Sequence, residues 1–532
     1  MAIETRTWGS VTEPGQIPPA AETLESQGAE DVLSNEDLTA AAAAGLRWVA
    51  YARMAIEFLL FATMVALARI VSPEAFGIFA IVTIVQELAQ MMPMEGIGGA
   101  LVQRRSIERD HLRGGLALSV GLGLLGAAAT ALIAVIVVEP LMGRQTEVLM
   151  LATTPYFLLG AVYAVPMAVL RRRLDFRRLS LIDLVLNATR ALASLALALI
   201  GLNASALVFG SMIGMAAALC LALAFAPVPL PAWRPRAMRE LLPYGGPAAL
   251  ATISWTGFRN GDYAIIGAVL GPAQAGFYWR SYQLAVEYQG KVANAVSQVA
   301  FPVLARTEGI EELLALRQRM VRLLTVLVFP LLALLIVLAP TVIPWLFGAE
   351  WEPSVVPTQI LVAGGAATLA INTCGSALMA AGRARALLGY GIAHFVVYAG
   401  AVLAVAHQGI EAVAIAGSVV HGFFLFVAYF VLLRGRAENA MVLLWRDLAP
   451  ALVACAALAA AAVPAAIGLG ELSAPTLPLM IGVTLTGGVA YLLALRAFFP
   501  ASAADLGAAV ARLLPKRIGL GSRLGPAVAA ES

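Results

Sequence analysis

Apolar residues in this 532-residue chain fall in runs of about 20, and polar residues gather between the runs rather than within them. A run of that length crosses a ~30 Å hydrocarbon core as a helix. From Leu46 onward the runs lie near 47–69, 77–101, 113–138, 149–169, 179–200, 204–226, 242–268, 277–304, 320–346, 356–381, 385–406, 411–433, 447–468 and 476–499. The pattern predicts an all-α polytopic membrane protein of about 14 transmembrane helices. Strands are excluded, because the runs are continuously apolar whereas a barrel wall alternates. Pro340, Pro344 and Pro464 interrupt the pattern, and the longest outward loop is expected at about 341–356.

Composition agrees. Hydrophobic residues make up 61% and charged residues 13%, with a mean hydropathy of +0.85. Soluble domains run at about 45–50% apolar and about 25% charged. A soluble enzyme, a disordered scaffold and a disulfide-rich secreted domain are thereby excluded. Residues 1–38 differ from the rest, with eight acids against the single base Arg6, and Pro14, Pro18 and Pro19 among them. They read as a disordered tail without the apolar stretch of a signal peptide.

Basic residues concentrate on the cytoplasmic side of a membrane protein. Here 26 of the 35 bases fall after even-numbered runs, for example Arg104, Arg105, Arg109 and Arg113 after the second, and Arg171–Arg173, Arg177 and Arg178 after the fourth. Arg306, Arg317, Arg319 and Arg322 follow the eighth, so Arg317 is expected to be a cytoplasmic-loop base that tolerates replacement by alanine. Both termini are then cytoplasmic.

A repeat is visible. Val71-Ser-Pro-Glu-Ala-Phe-Gly-Ile-Phe79 is echoed by Leu270-Gly-Pro-Ala-Gln-Ala-Gly-Phe-Tyr278, pairing Pro73 with Pro272 and Gly77 with Gly276; Leu101-Val-Gln-Arg-Arg105 is echoed by Pro302-Val-Leu-Ala-Arg306. The unit is six helices, an even number, which gives two parallel bundles related by an axis along the membrane normal, with a cavity between them. The expected organisation is an acidic cytoplasmic tail (1–45), an N-terminal lobe (46–226) and a Pro-rich cytoplasmic linker (227–241). A C-terminal lobe (242–433), two appended helices 13 and 14 (434–500) and a cytoplasmic tail (501–532) follow.

Catalytic signatures are missing. Gly121-Leu-Gly-Leu-Leu-Gly126 matches a dinucleotide fingerprint, but no strand precedes it, so its glycines read as helix-packing positions. No ATPase, zinc-protease or serine-hydrolase motif occurs, and no nucleic-acid partner is expected. Cys220, Cys374 and Cys455 read as small buried hydrophobes. His394 and His421 read as core histidines, with a proton relay as the alternative.

Ionisable residues at membrane depth are expensive and usually face a cavity or a partner. Run 1 carries Arg53 and Glu57, run 7 carries Arg259 and Asp262, and run 8 carries Glu287 and Lys291 with Arg280 near its outer end. Glu87 lies in run 2, and Asp183 and Arg190 in run 5. Runs 1, 2, 7 and 8, which carry most of this charge, are expected to line the central cavity. Two readings stay open, since Arg53–Glu57 and Glu287–Lys291 also suit intrahelical pairs. Guanidinium groups on a cavity wall would suit phosphate.

Leu67-Ala-Arg-Ile-Val-Ser-Pro-Glu-Ala-Phe-Gly-Ile-Phe79, Gly96-Ile-Gly-Gly-Ala-Leu-Val-Gln-Arg-Arg105 and Met167-Ala-Val-Leu-Arg-Arg-Arg-Leu-Asp-Phe-Arg177 resemble the polysaccharide-transporter flippases. These belong to the multidrug/oligosaccharidyl-lipid/polysaccharide exporter superfamily. The likeness covers about 45–500. It implies a bacterial cytoplasmic-membrane flippase that moves an isoprenoid-diphosphate-linked oligosaccharide outward by alternating access, without catalysis. Its partners would be the lipid-linked glycan, membrane lipids and polysaccharide polymerase or export proteins. No cofactor is implied beyond a proton or sodium gradient. In related lipid II flippases, basic residues on helix 1 and the helices facing it meet the diphosphate; Arg53 and Arg259 are the candidates here by helix, and helices 13–14 would hold the lipid tail. An ion-coupled drug antiporter of the same superfamily is the alternative, and it would prefer an acidic cavity.

Overall fold

The computed structural model describes residues 56–290, 309–433, 437–471 and 475–513, with 304, 306 and 307. Among these, all regular structure is helical. In lipid every backbone group must be satisfied within its own segment, and a helix does this. The helices are α1 (Ile56–Ala68), α2 (Pro73–Gln103), α3 (Arg109–Met142), α4 (Arg144–Arg172), α5 (Phe176–Leu199) and α6 (Asn203–Phe225). Then come α7 (Pro235–Leu270) and α8 (Pro272–Tyr282, extended by a π turn at Gln283–Glu287). The series continues with α9 (Ile310–Phe347), α10 (Val355–Ala380), α11 (Ala384–Val405), α12 (Ile410–Leu432), α13 (Ala437–Glu471), α14 (Thr476–Phe498) and α15 (Pro500–Leu513).

Eleven helices among the described residues are long and apolar enough to cross a membrane. The three expected spans outside that set are α1, α7 and α8, the helices that carry most of the intramembrane charge in the sequence.

Three boundaries differ from expectation. Helix α7 begins at Pro235, inside the stretch assigned to the linker, because proline suits the first turn of a helix and the charges there had hidden the start. Helix α9 runs unbroken through Pro330, Pro340 and Pro344, and α13 through Pro450 and Pro464. Packed neighbours let membrane helices accommodate proline. The expected loop at 341–356 is therefore the end of α9, a turn at Gly348 with φ 110°, and a 3₁₀ segment, Ala349–Ser354.

Helix α2 is central: it packs on α4 and α6 on one side and on α7 and α8 on the other. The last pair, α13 and α14, packs together and leans on α9. One apolar core joins α2, α4 and α6 to the end of α9, through Val71, Phe76, Leu207, Ile343, Phe347 and Trp351.

Candidate translocation site

Two repeat motifs meet at one end of the bundle. Pro73 and Pro272 each open a helix, Ser72 capping the first by accepting from the Ala75 amide at 3.3 Å. One turn further, Gly77 of α2 lies against Pro272 and Gly276, and Gly276 of α8 lies against Pro73 and Gly77. The contact is reciprocal, residue i on j and j on i, as a two-fold arrangement requires. Around it Trp351 Nε1 donates to the Ala68 carbonyl at 2.9 Å, Arg69 Nε donates to the Leu346 carbonyl at 2.9 Å, and Arg69 Nη2 donates to the Trp345 carbonyl. This end of the interface is shut.

Deeper in, Asn260 Nδ2 of α7 donates to Glu87 Oε2 of α2 at 3.1 Å and to the Thr256 carbonyl at 3.1 Å. The neighbouring Gln86 turns the other way, into the N-terminal helices. It donates to Thr153 Oγ1 at 2.9 Å, and its Oε1 accepts from the Ser211 hydroxyl at 2.8 Å. Adjacent residues of α2 thus serve opposite purposes: Gln86 anchors the helix in its own lobe, and Glu87 meets the other. Arg190 of α5 lies over the Phe79 ring at 5.5 Å.

At the arginine-rich end, Glu240 at the start of α7 is a hub. It accepts from Arg104 Nη2 at 2.7 Å and from His111 Nε2 at 3.0 Å, and pairs with Arg236 at 3.4 Å. His111 Nδ1 accepts from the Glu108 amide at 3.1 Å, so Nε2 carries the proton that reaches Glu240. The His111 hydrogen bond, with the Arg104 charge beside it, holds the Glu240 carboxyl below its ordinary range.

The candidate residues divide. Arg53 and Lys291 lie outside the described residues, and Arg259 is within α7 with its side chain outside them. Glu57 is half-buried on α1, and Glu287 is exposed on the π turn of α8. Asp262 is buried. Its Oδ2 accepts from the Tyr398 hydroxyl of α11 at 3.0 Å and its Oδ1 from the Tyr263 amide at 2.9 Å, so it turns into the C-terminal helices rather than toward an open cavity. Arg280 is likewise no open cavity base in this conformation. It is 0% exposed and enclosed by the rings of Phe76, Trp279, Phe347 and Trp351.

Arg317 overturns its expected role as a loop base. It is fully buried, donating to Asp447 Oδ2 at 2.8 Å, Thr373 Oγ1 at 3.3 Å and Cys374 Sγ at 3.1 Å, with its guanidinium 4.4 Å from the Tyr429 ring. The reason is that α9 starts at Ile310, so Arg317 sits two turns inside a helix and faces α13. Of the cysteines, Cys374 is buried, Cys455 half-buried and Cys220 exposed on α6. His394 stacks on Phe424 at 4.4 Å and His421 lies 5.0 Å from it, a packed aromatic core. Asn260, Thr256 and Tyr398 escaped notice in the sequence. Their only signal was a polar group inside an apolar run.

Residues 66–356 match the family model described as polysaccharide biosynthesis protein, more than half of the chain. Over 344 residues the chain is 26% identical to an uncharacterized membrane protein in the cps region of Klebsiella pneumoniae, covering 63% of this chain and 70% of that protein. Over 349 residues it is 24% identical to the lipopolysaccharide biosynthesis protein WzxC of Escherichia coli (strain K12), covering 64% and 70%. The solved lipid II flippase MurJ, in an inward closed conformation, superposes with a TM-score of 0.71 at 13% identity, covering 85% of this chain and 99% of that one, which establishes a shared fold. By the extent of the family match, the chain belongs to the family of polysaccharide biosynthesis membrane proteins.

Proposed function

We propose that this protein is a flippase that carries an isoprenoid-diphosphate-linked oligosaccharide from the inner to the outer leaflet of a bacterial cytoplasmic membrane, for polysaccharide biosynthesis. It is a membrane transporter and not an enzyme. The observation that carries the reading is the match of residues 66–356 to the polysaccharide biosynthesis family, and charge at the lobe interface accompanies it. The helices at the lobe interface, α1, α2, α7 and α8, hold Glu57, Glu87, Asp262, Arg280 and Glu287. The sequence adds Arg53, Arg259 and Lys291 to the same helices. The name of WzxC, a lipopolysaccharide biosynthesis protein, and that of the lipid II flippase support the same substrate class.

The geometry is compatible with an alternating-access mechanism. The Gly77–Gly276 crossing closes one end of the lobe interface in this conformation, and the arginine-rich end, held by the Glu240 pairs, is assigned as the entry side. Separation of the lobes at that crossing would open the path to the other leaflet, an alternating-access cycle. The arginine-rich end is cytoplasmic in this reading, with both termini there. A proton or sodium gradient would drive the cycle, and a polysaccharide polymerase or export protein would take the product.

An ion-coupled drug antiporter is the second reading, favoured by one observation: Glu57, Glu87 and Glu287 make the described interface rich in carboxylates. Deleting the gene and restoring it on a plasmid separates the two. The flippase reading expects loss of surface glycan and build-up of the lipid-linked precursor on the inner leaflet. Normal glycan with heightened drug sensitivity would favour the antiporter.

A further inference from the structure

Arg280 is a buried cation with no anionic partner among the described residues. Its guanidinium carbon lies 4.6 Å from the Phe76 ring centroid, 4.8 Å from Trp351, 4.9 Å from Phe347 and 5.8 Å from Trp279. Among the described residues its polar contact is Gln283 Oε1 at 3.2 Å, and Nε and Nη2 have no hydrogen-bond partner. No ion pair to Arg280 occurs among the described residues. Aromatic faces offset only ~0.5–2 kcal/mol each against the cost of burying a guanidinium. A position with a purely structural task is commonly served as well or better by an apolar side chain of similar volume. The burial therefore calls for a second state in which the charge has a use.

The walls of the enclosure identify that state. Phe76 belongs to α2, whereas Trp279, Phe347 and Trp351 belong to α8, to α9 and to the turn after it. The Trp351–Ala68 hydrogen bond and the Gly77–Gly276 crossing tie the two sides together. Any separation of the lobes at this end withdraws Phe76 and opens that wall of the enclosure, where Nε and Nη2 are free to donate. A guanidinium presents these donors in a planar fork that matches phosphate oxygens.

We propose that Arg280 is a conformation-dependent anion site at the exit end of the pathway, sheathed by aromatic rings when the lobes are closed and bound to the substrate's diphosphate when they are open. The assignment rests on the flippase reading above. It adds a release mechanism: rings and diphosphate compete for one guanidinium, so reclosure of the lobes expels the anion. The covered site cannot rebind substrate from the outer leaflet in the closed state.

The test uses the full chain in nanodiscs, with Gly77→Leu to hold the exit end apart and farnesyl diphosphate as the probe. Adding Arg280→Gln to Gly77→Leu should weaken farnesyl diphosphate binding about tenfold or more, while farnesol binding is unchanged. Equal binding with and without Arg280 overturns the site. Competition by dioleoyl phosphatidic acid as strong as by the diphosphate overturns the substrate assignment in favour of a lipid headgroup. Should Gly77→Leu fail to fold, Arg280→Met in the otherwise native chain decides. The proposal expects its thermal midpoint to be equal or higher while glycan export falls at least tenfold. A lowered midpoint with export proportional to protein level would mean a structural cation. Export that requires the gene yet ignores Arg280→Met sinks this site alone, whereas export indifferent to the gene sinks the flippase reading.

Discussion

Gly77 and Gly276, 199 residues apart in the chain, sit face to face at the crossing of α2 and α8. A Cβ built on Gly77 would overlap the Pro272 carbonyl and lie 2.8 Å from the Gly276 nitrogen; one on Gly276 would overlap the Pro73 carbonyl and lie 3.0 Å from the Gly77 nitrogen. The atoms in the way are backbone, so neither side can give by a rotamer change. The duplicated sequence motif is thus also a contact, and both copies are needed for closure.

Replacing either glycine by leucine should force this end open. Ser281 is fully buried next to the crossing, so a Ser281→Cys thiol should resist a membrane-impermeant maleimide in an otherwise native chain. With Gly77→Leu or Gly276→Leu added, labelling should rise about tenfold, as a shift of ~1.4 kcal/mol in the closing equilibrium would give. Unchanged labelling would show that the crossing is not what shuts this end.

Arg317 and Asp447 form a buried ion pair, 1% and 0% exposed, that joins α9 to α13. Tyr429 reinforces it, donating to the same Asp447 Oδ2 at 2.7 Å. Removing one partner strands the other charge, at a cost of ~3–5 kcal/mol. Arg317→Ala and Asp447→Ala should each lower the thermal midpoint sharply and reduce membrane accumulation. The double change Arg317→Met/Asp447→Leu should recover most of the loss. The exposed Arg173→Ala should match the native chain.

The arrangement of helices was largely legible in the sequence, because hydropathy is a one-dimensional signal and each span must satisfy it alone. Helix starts were not. The charged first turns of α7 and α9, around Arg236 and Glu311, read as loops, and that error turned Arg317 into a surface base. The site was half legible. Charge at membrane depth marked Arg280 and Asp262, yet what encloses them comes from distant positions such as Phe76, Trp351 and Tyr398. A single sequence holds no record of those pairings. The Gly77–Gly276 repeat could be read as duplication but not as contact.

The Glu240 hub gives a pH dependence whose sign is fixed. A carboxyl held below its ordinary value stabilises the fold fully above the unfolded value of about 4.3, and the contribution is lost as pH falls through the lower folded value. Purified native protein should therefore lose more thermal stability than Glu240→Gln between about pH 6 and about pH 3. Parallel loss in the two proteins would show that the Glu240 contacts to Arg104 and His111 do not stabilise the fold.

Topology is open to a direct check. Gln145 and Arg173 are exposed at opposite ends of α4. In intact cells a cysteine at 145 should react with an impermeant maleimide, and one at 173 should react only after permeabilisation. The opposite pattern would invert the direction of transport assigned to the closed end.

Translocation itself is the decisive quantity. Fixed positive charge along the path is what lets a diphosphate cross a low-dielectric core, where an uncompensated anion costs many kcal/mol. The protein is reconstituted into vesicles that carry an isoprenoid-diphosphate-linked oligosaccharide with a labelled sugar, and the labelled sugar is counted as it becomes accessible on the far leaflet. The account predicts protein-dependent transfer that Arg53→Ala and Arg259→Ala each reduce at least tenfold, that Arg53→Lys partly restores, and that Arg173→Ala leaves intact. Transfer no faster than in protein-free vesicles, or equal in all four variants, would contradict it.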